Sequence, residues 1–201
     1  MEGHSQAGRG LEATRFMGKA LTALFWIHIL NIVSGILSLS DMAKWFPRLY
    51  LPSRVVNFIG LLLAVMILMR LNHRSYRKAG WCGAVGILAG FVMNGPLMSE
   101  KDADWIWIFP VLVWCGLLGS VYFQYQGHTR VLQGIDDKLA GKWTRLRRWF
   151  AGLLAACVVG AMVLFLMDSV IGGAVSVAAL GGILVVALLS LAYLYKMARE
   201  F

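Results

Sequence analysis

Charge is what this chain of 201 residues has least of: 14% of it is Asp, Glu, Lys or Arg, where a soluble domain carries ~25%. So little charge cannot coat a water-soluble globule, and a 59% apolar content excludes disorder. Three cysteines are too few for a disulfide scaffold. With no Cys-x-x-Cys pair, thiol redox chemistry of the quinone-linked kind is not expected, and Cys82, Cys115 and Cys157 read as small apolar residues. Ten acids are present, none within the core of an apolar run, which removes intramembrane aspartyl proteases and carboxylate-driven pumps. Gly119-Ser120 lacks the Gly-x-Ser-x-Gly elbow of serine hydrolases. His73 and His128 make no His-Glu-x-x-His pair, and histidines paired at helical spacing for haem are missing. The expectation is a protein without cofactor, metal or recognisable catalytic site.

What the chain has instead is long apolar runs, at 20–40, 55–69, 79–98, 105–124, 149–167 and 169–195, with mean hydropathy +0.70. Lipid offers the backbone no hydrogen-bond partners, so such runs cross it as helices. A β-barrel needs short strands of alternating polarity, and these runs are continuous. The predicted fold class is all-α: a polytopic integral membrane protein forming a six-transmembrane-helix bundle. The second run is short, since fifteen residues reach only ~22 Å of a ~30 Å core. It is expected to borrow residues 49–53, with Pro52 in its first turn, where a missing N–H matters little.

Net charge is +9, with an isoelectric point near 9.8. The basic residues lie between apolar runs, so they set topology and no nucleic-acid partner is expected. With the N-terminus inside, one side carries Arg9, Arg15 and Lys19; Arg70, Arg74, Arg77 and Lys78; Arg130, Lys138, Lys142, Arg145, Arg147 and Arg148; and Lys196 and Arg199. Only Lys44, Arg48, Arg54 and Lys101 fall on the other. Adding or removing one crossing breaks this alternation. The expectation is a plasma (inner) membrane protein with both termini cytoplasmic. The first run is longer than a signal core and Ser38-Leu39-Ser40 is a poor cleavage site, so the first helix is expected to target the protein and remain in it.

Residues 1–17 read as a mobile cytoplasmic tail and 18–201 as a single transmembrane domain. The loop 41–53, with Trp45, Phe46 and Tyr50, is expected at headgroup level. The loop 99–104 is short and acidic, and a tight turn around Asp168 makes the last two helices a hairpin. In 125–148, Leu132, Ile135 and Leu139 recur at i, i+3 and i+7 opposite Asp136, Asp137 and Lys138. This predicts a short amphipathic interfacial helix between helices 4 and 5. Lys142, Arg145, Arg147 and Arg148 follow where anionic headgroups concentrate.

Two weak repeats stand out. Trp81-Cys82-Gly83-x-x-Gly86 recurs as Trp114-Cys115-Gly116-x-x-Gly119. Gly18-Lys19 precedes Trp26 at the offset by which Gly141-Lys142 precedes Trp149. Both are expected to be coincidences of Gly- and Trp-rich helices.

Small residues form stripes: Cys82, Gly86, Gly90 and Asn94; Gly152, Ala156 and Gly160; Ala174, Ala178 and Gly182. They mark helix-packing faces, within one chain or between chains. His28 and Asn31 lie one turn apart near mid-depth of the first run, either as an interhelical hydrogen-bonding pair or as a functional pair. Arg54 and Asn57 open the second run, and Asn94-Gly95-Pro96 interrupts the third. Together these five polar residues could frame a ligand pocket; alternatively Arg54 snorkels to headgroups and the break ends a helix. The leading expectation is a non-enzymatic membrane protein acting as an accessory or interaction partner in a complex. Its partners would be anionic lipids and either a second copy or another membrane protein. The alternative is a small transporter or ligand-binding membrane subunit built on His28, Asn31, Arg54, Asn57 and Asn94.

Overall fold

The computed structural model describes residues 2–37, 47–94, 108–167 and 170–201, with side chains for 14–37, 47–93, 108–166 and 170–201. Loop 99–104, residues 41–46 of the first outer loop, the Gly95-Pro96 break and the Asp168 turn lie outside the described residues. All regular structure among the described residues is α-helical: α1 (Glu2–Leu37), α2 (Pro47–Arg70), α3 (Arg74–Asn94), α4 (Ile108–Leu132), α5 (Asp137–Met167) and α6 (Val170–Glu200). Among the described residues, five stretches are long and apolar enough to cross a membrane: Thr14–Leu37 of α1, all of α2, all of α4, Asp137–Leu166 of α5 and all of α6. The chain is an all-helical, membrane-embedded protein. α3 falls short because Arg74, Arg77 and Lys78 occupy its first turns, and Gly80, Gly83, Gly86 and Gly90 replace larger apolar side chains.

Two local expectations are corrected. α2 begins at Pro47, so Pro47 takes the first turn and Pro52 lies inside the helix. Ser53 Oγ–H donates to the Tyr50 carbonyl at 2.8 Å there. At 24 residues this helix reaches ~36 Å, so loop residues 47–53 belong to the crossing. Residues 2–17 are helical, as part of α1; Ala7, Arg9, Leu11, Glu12 and Ala13 are strong helix formers that outweigh the glycines there. The second concerns the interfacial helix, which does not exist. α4 runs on to Leu132, where Gly134 adopts φ +83° and the Ile135 and Asp136 N–H groups close back on the Leu132 carbonyl, a left-handed helix end. Asp136 then caps α5, its Oδ1 accepting the Leu139 N–H at 2.9 Å. The i, i+3, i+7 pattern therefore straddles a turn, with Leu132 and Leu139 buried in different helices and Ile135 exposed.

The helices gather in two compact units, residues 1–124 with 197–201, and residues 125–196. In the first, α1 packs on α2 and α2 on α3. α3 meets α4 through backbone: a Cβ on Gly116 would stand 2.6 Å from the Gly86 nitrogen and 2.7 Å from the Cys82 carbonyl oxygen. The two Trp-Cys-Gly-x-x-Gly copies thus lie across from one another, their glycines at the contact and Trp81 and Trp114 exposed. In the second unit α5 and α6 meet the same way. A Cβ on Gly172 would lie 2.7 Å from the Gly160 carbonyl oxygen, and one on Gly160 would lie 2.9 Å from that of Gly172. Ser176 sits in this notch, donating to Gly172 at 3.0 Å.

Residue pairings show the neighbours to be antiparallel. Asn31 opposes Gly60, Met69 opposes Gly80, and Lys78 stands 5.5 Å over the Phe123 ring. Lys19, Arg70, Arg74, Arg77 and Lys78 therefore share one end of the first unit. In the second, Gly160 opposes Gly172, while Lys142 opposes Tyr193 and Asp136 opposes Lys196 at the far, basic end. The most completely buried side chains also collect toward the basic ends: Leu21, Leu24, Leu71 and Tyr76 in one unit, Leu139 and Trp143 in the other.

A methyl group at a backbone contact has nowhere to go. Gly116→Ala and Gly172→Ala are each expected to destabilise the protein in detergent by about 1–3 kcal/mol, the usual cost of overpacking. Gly152→Ala, whose Cβ would meet nothing within 4 Å, is expected to leave the unfolding midpoint unchanged or raised. Thermal unfolding of the three variants checks this.

Candidate functional site

The polar residues of the first span turn toward neighbouring helices. His28 Nδ1 lies 2.7 Å from the Leu24 carbonyl oxygen, which can only accept, so Nδ1 carries the proton. The ring also faces the Gln124 side chain of α4. The Asn31 amide fills the place a Cβ of Gly60 would take on α2, and its Oδ1 is buried without a hydrogen-bond partner. Ser34, one turn on, is buried and donates to the Asn31 carbonyl at 3.3 Å. Gly60 belongs to the buried stripe of α2 with Ser53, Ala64 and Leu68, and half-buried Asn57 lies one turn before it.

Asn31 and Asn57 thus lie at or beside Gly60, whereas Arg54 stands apart from that contact. Arg54 is exposed, its Nη1 3.4 Å from the Tyr50 hydroxyl and its guanidinium 5.6 Å from the Tyr50 ring centre. It is six residues from Gly60, ~9 Å along the helix axis. Asn94 ends α3, and its side chain lies outside the described residues.

The second unit holds the better-formed site. Lys142, Arg145, Trp149 and Leu153 recur along one face of α5, opposite Gly182, Val185, Leu189 and Tyr193 on α6. Between them is a cavity of about 460 Å³. Gly182 makes the room, since a Cβ there would run 2.7 Å from Leu153 Cδ2. The Lys142 ammonium stands 5.7 Å over the Tyr193 ring, a cation–π distance. Among the described residues no carboxylate lines the cavity. One end is cationic and the rest apolar. Of the four candidate headgroup residues, Lys142 and Arg145 line this space, whereas half-buried Arg147 and exposed Arg148 do not.

Beside the cationic end an aromatic cluster fixes the helices. Trp143 is 1% exposed and His128 0%; their rings lie 4.4 Å apart. Tyr125 and Tyr193 flank Trp143 at 5.3 and 5.9 Å, and Phe150 meets Tyr125 at 5.8 Å. His128 and Gln124 are therefore buried residues of α4, lying past or at the end of the fourth apolar run. The signal was present: Gln124, Tyr125, His128, Thr129 and Leu132 continue a helical period past the expected end of the fourth run, and all five are buried.

The small-residue stripes divide between two environments. Gly86 and Gly160 make close backbone contacts, Gly90 meets Val113 and Gly182 meets Leu153. Gly152, Ala174 and Ala178 are exposed. Cys82 lies against Gly116 and Gly119. Among the described residues no group of three or more His, Cys, Asp or Glu side chains is placed to hold a metal.

The Asn31–Gly60 contact yields a coupled prediction. Gly60→Ala alone is expected to destabilise by about 1–3 kcal/mol. In an Asn31→Ala background the same change is expected to be nearly neutral, a coupling of about 1 kcal/mol or more. A double-mutant cycle by thermal unfolding measures it; additive effects would mean the amide does not occupy that space. Comparison with protein-family models, curated proteins and solved structures found no match.

Proposed function

We propose that this chain is a non-enzymatic multi-pass protein of a plasma membrane that serves as an accessory partner within a membrane complex. In this reading it crosses six times, α3 included, and both termini are cytoplasmic. The observation that carries the reading is the asymmetry of α6. One face is occupied by α5, through Gly172, Ser176 and Gly182. Another presents Ala174, Ala178 and Gly181 at i, i+4 and i+7, all exposed, and a Cβ on Gly181 would meet nothing within 4 Å. Lipid gives helices no hydrophobic reason to associate, so close approach at small residues is the main means. A small-residue face left open by the chain's own helices suits a helix of another membrane protein or of a second copy.

The polar pair supports the same reading. His28 and Asn31 face the chain's own helices, which favours a packing role over substrate handling.

The test is the mass of the particle extracted from membranes in native lipid discs. The wild type is expected well above the 22.2 kDa of one chain, and Ala178→Leu with Gly181→Leu is expected to reduce it to a single copy while its unfolding midpoint stays unchanged. A monomeric wild type contradicts the accessory role.

A further inference from the structure

A membrane-embedded cavity open to its surroundings fills with whatever the bilayer supplies, and this one selects by charge. Lys142 and Arg145 sit one turn apart at the basic end of α5, both exposed. Beyond them the walls are apolar: Trp149 and Leu153 from α5, Val185 and Leu189 from α6. Trp149, two turns along from Lys142, is 61% exposed, at the spacing where an indole rests at the boundary between headgroups and acyl chains. Gly182 leaves the floor low enough for Leu153 to lie across it. A free phosphate would use the cations and leave the walls empty, and a neutral apolar molecule would leave the cations unused. The complement of both is an amphiphile with an anionic head.

We propose that the groove between α5 and α6 binds one anionic phospholipid, its phosphate held by Lys142 and Arg145 and an acyl chain lying along Trp149, Leu153 and Val185. The Tyr193 ring under the Lys142 ammonium holds that cation toward the groove. A second observation supports the pattern. The seven-residue offset shared by Lys142…Trp149 and Lys19…Trp26 marks the lining of a hollow in each unit. In the first unit, Gly18, Lys19 and Trp26 line a shallower space of about 540 Å³ together with Arg15. The repeat that looked accidental in sequence thus places a cation and an indole on one wall in both units. The proposal depends on membrane embedding and not on a protein partner, so it survives a monomeric result in the association experiment.

The experiment titrates the full chain, purified in a neutral detergent, with phosphatidylglycerol, phosphatidylcholine or inorganic phosphate, and counts bound lipid by native mass spectrometry. One phosphatidylglycerol is expected to bind ahead of any phosphatidylcholine, with inorganic phosphate failing to displace it. Lys142→Ala with Arg145→Ala is expected to weaken binding roughly tenfold or more, from two cations near the headgroup. Lys138→Ala with Arg148→Ala removes equal charge outside the groove and is expected to leave binding unchanged. Val185→Trp, filling the groove with both cations intact, is expected to abolish it. Equal loss in the two double variants, phosphatidylcholine binding as tightly, displacement by phosphate, or full binding by Val185→Trp each overturn the proposal. Should Val185→Trp fail to fold, phosphatidylglycerol brominated on its acyl chains decides. It is expected to quench a component of the fluorescence that Trp149→Phe removes, and identical quenching in the two proteins overturns the proposal.

Discussion

Inside lipid, one helix gains nothing hydrophobic by touching another, so what holds these helices together is how closely their backbones approach. At Gly116, Gly160 and Gly172 a Cβ would run into the facing helix at under 3.0 Å, and at Gly86 one would be crowded at 3.1 Å. At Gly60 the vacancy is taken by the Asn31 amide. These notches set the register of each antiparallel pair. Register in turn decides which side chains reach the basic ends together. If α5 slid one turn against α6, Lys142 would leave the Tyr193 ring and Gly182 would no longer lie under Leu153.

The distribution of burial follows from the same constraint. Where lipid surrounds a helix, an exposed Phe165 or Ile171 needs no explanation, because apolar surface there faces apolar solvent. Near the basic ends the chain emerges toward water, and there side chains are packed as in a soluble core, with His128 against Trp143 and Leu139 sealed beneath. Polar residues within the spans are placed to be satisfied or enclosed. The Leu24 carbonyl accepts the hydrogen bond of the His28 Nδ1–H, and the Ser176 hydroxyl lies within reach of the Gly172 carbonyl of its own helix and the Cys157 carbonyl of α5. The helices leave open the cationic groove of α5 and α6 and the small-residue face of α6.

Much of the fold could be read from residue order because apolar run length is a strong signal and lipid permits only one way of satisfying the backbone. The limits of that signal lie where its physics changes. Past Gln124 the hydropathy falls, yet α4 continues for two turns, because His128 and Thr129 are buried by neighbours that hydropathy does not see. Gly134 and Asp136 are ordinary helix-end signals, but periodicity across Leu132, Ile135 and Leu139 masked them. The stripes were visible as spacing, while their partners were not: nothing in Ala174-x-x-x-Ala178 says that α5 lies on the other side, at Gly172 and Ser176. The two Trp-Cys-Gly-x-x-Gly copies were seen and set aside, since only the pairing of α3 with α4 brings them face to face. For the candidate site, the cations of 142–148 were legible as a cluster, but dividing them into two that line a groove and two that do not required the opposing helix.

The closest approach of α3 and α4 can be tested directly with a residue the chain already carries. A Cβ on Gly119 would lie 3.6 Å from Cys82 Cβ, within the ~3.5–4.5 Å span of disulfides. In a chain whose Cys115 and Cys157 are replaced by alanine, Gly119→Cys should form a disulfide with Cys82 under mild oxidation, leaving no thiol reactive to maleimide in the intact protein. A chain in which both thiols stay free and reactive would contradict the glycine-mediated contact on which this account depends.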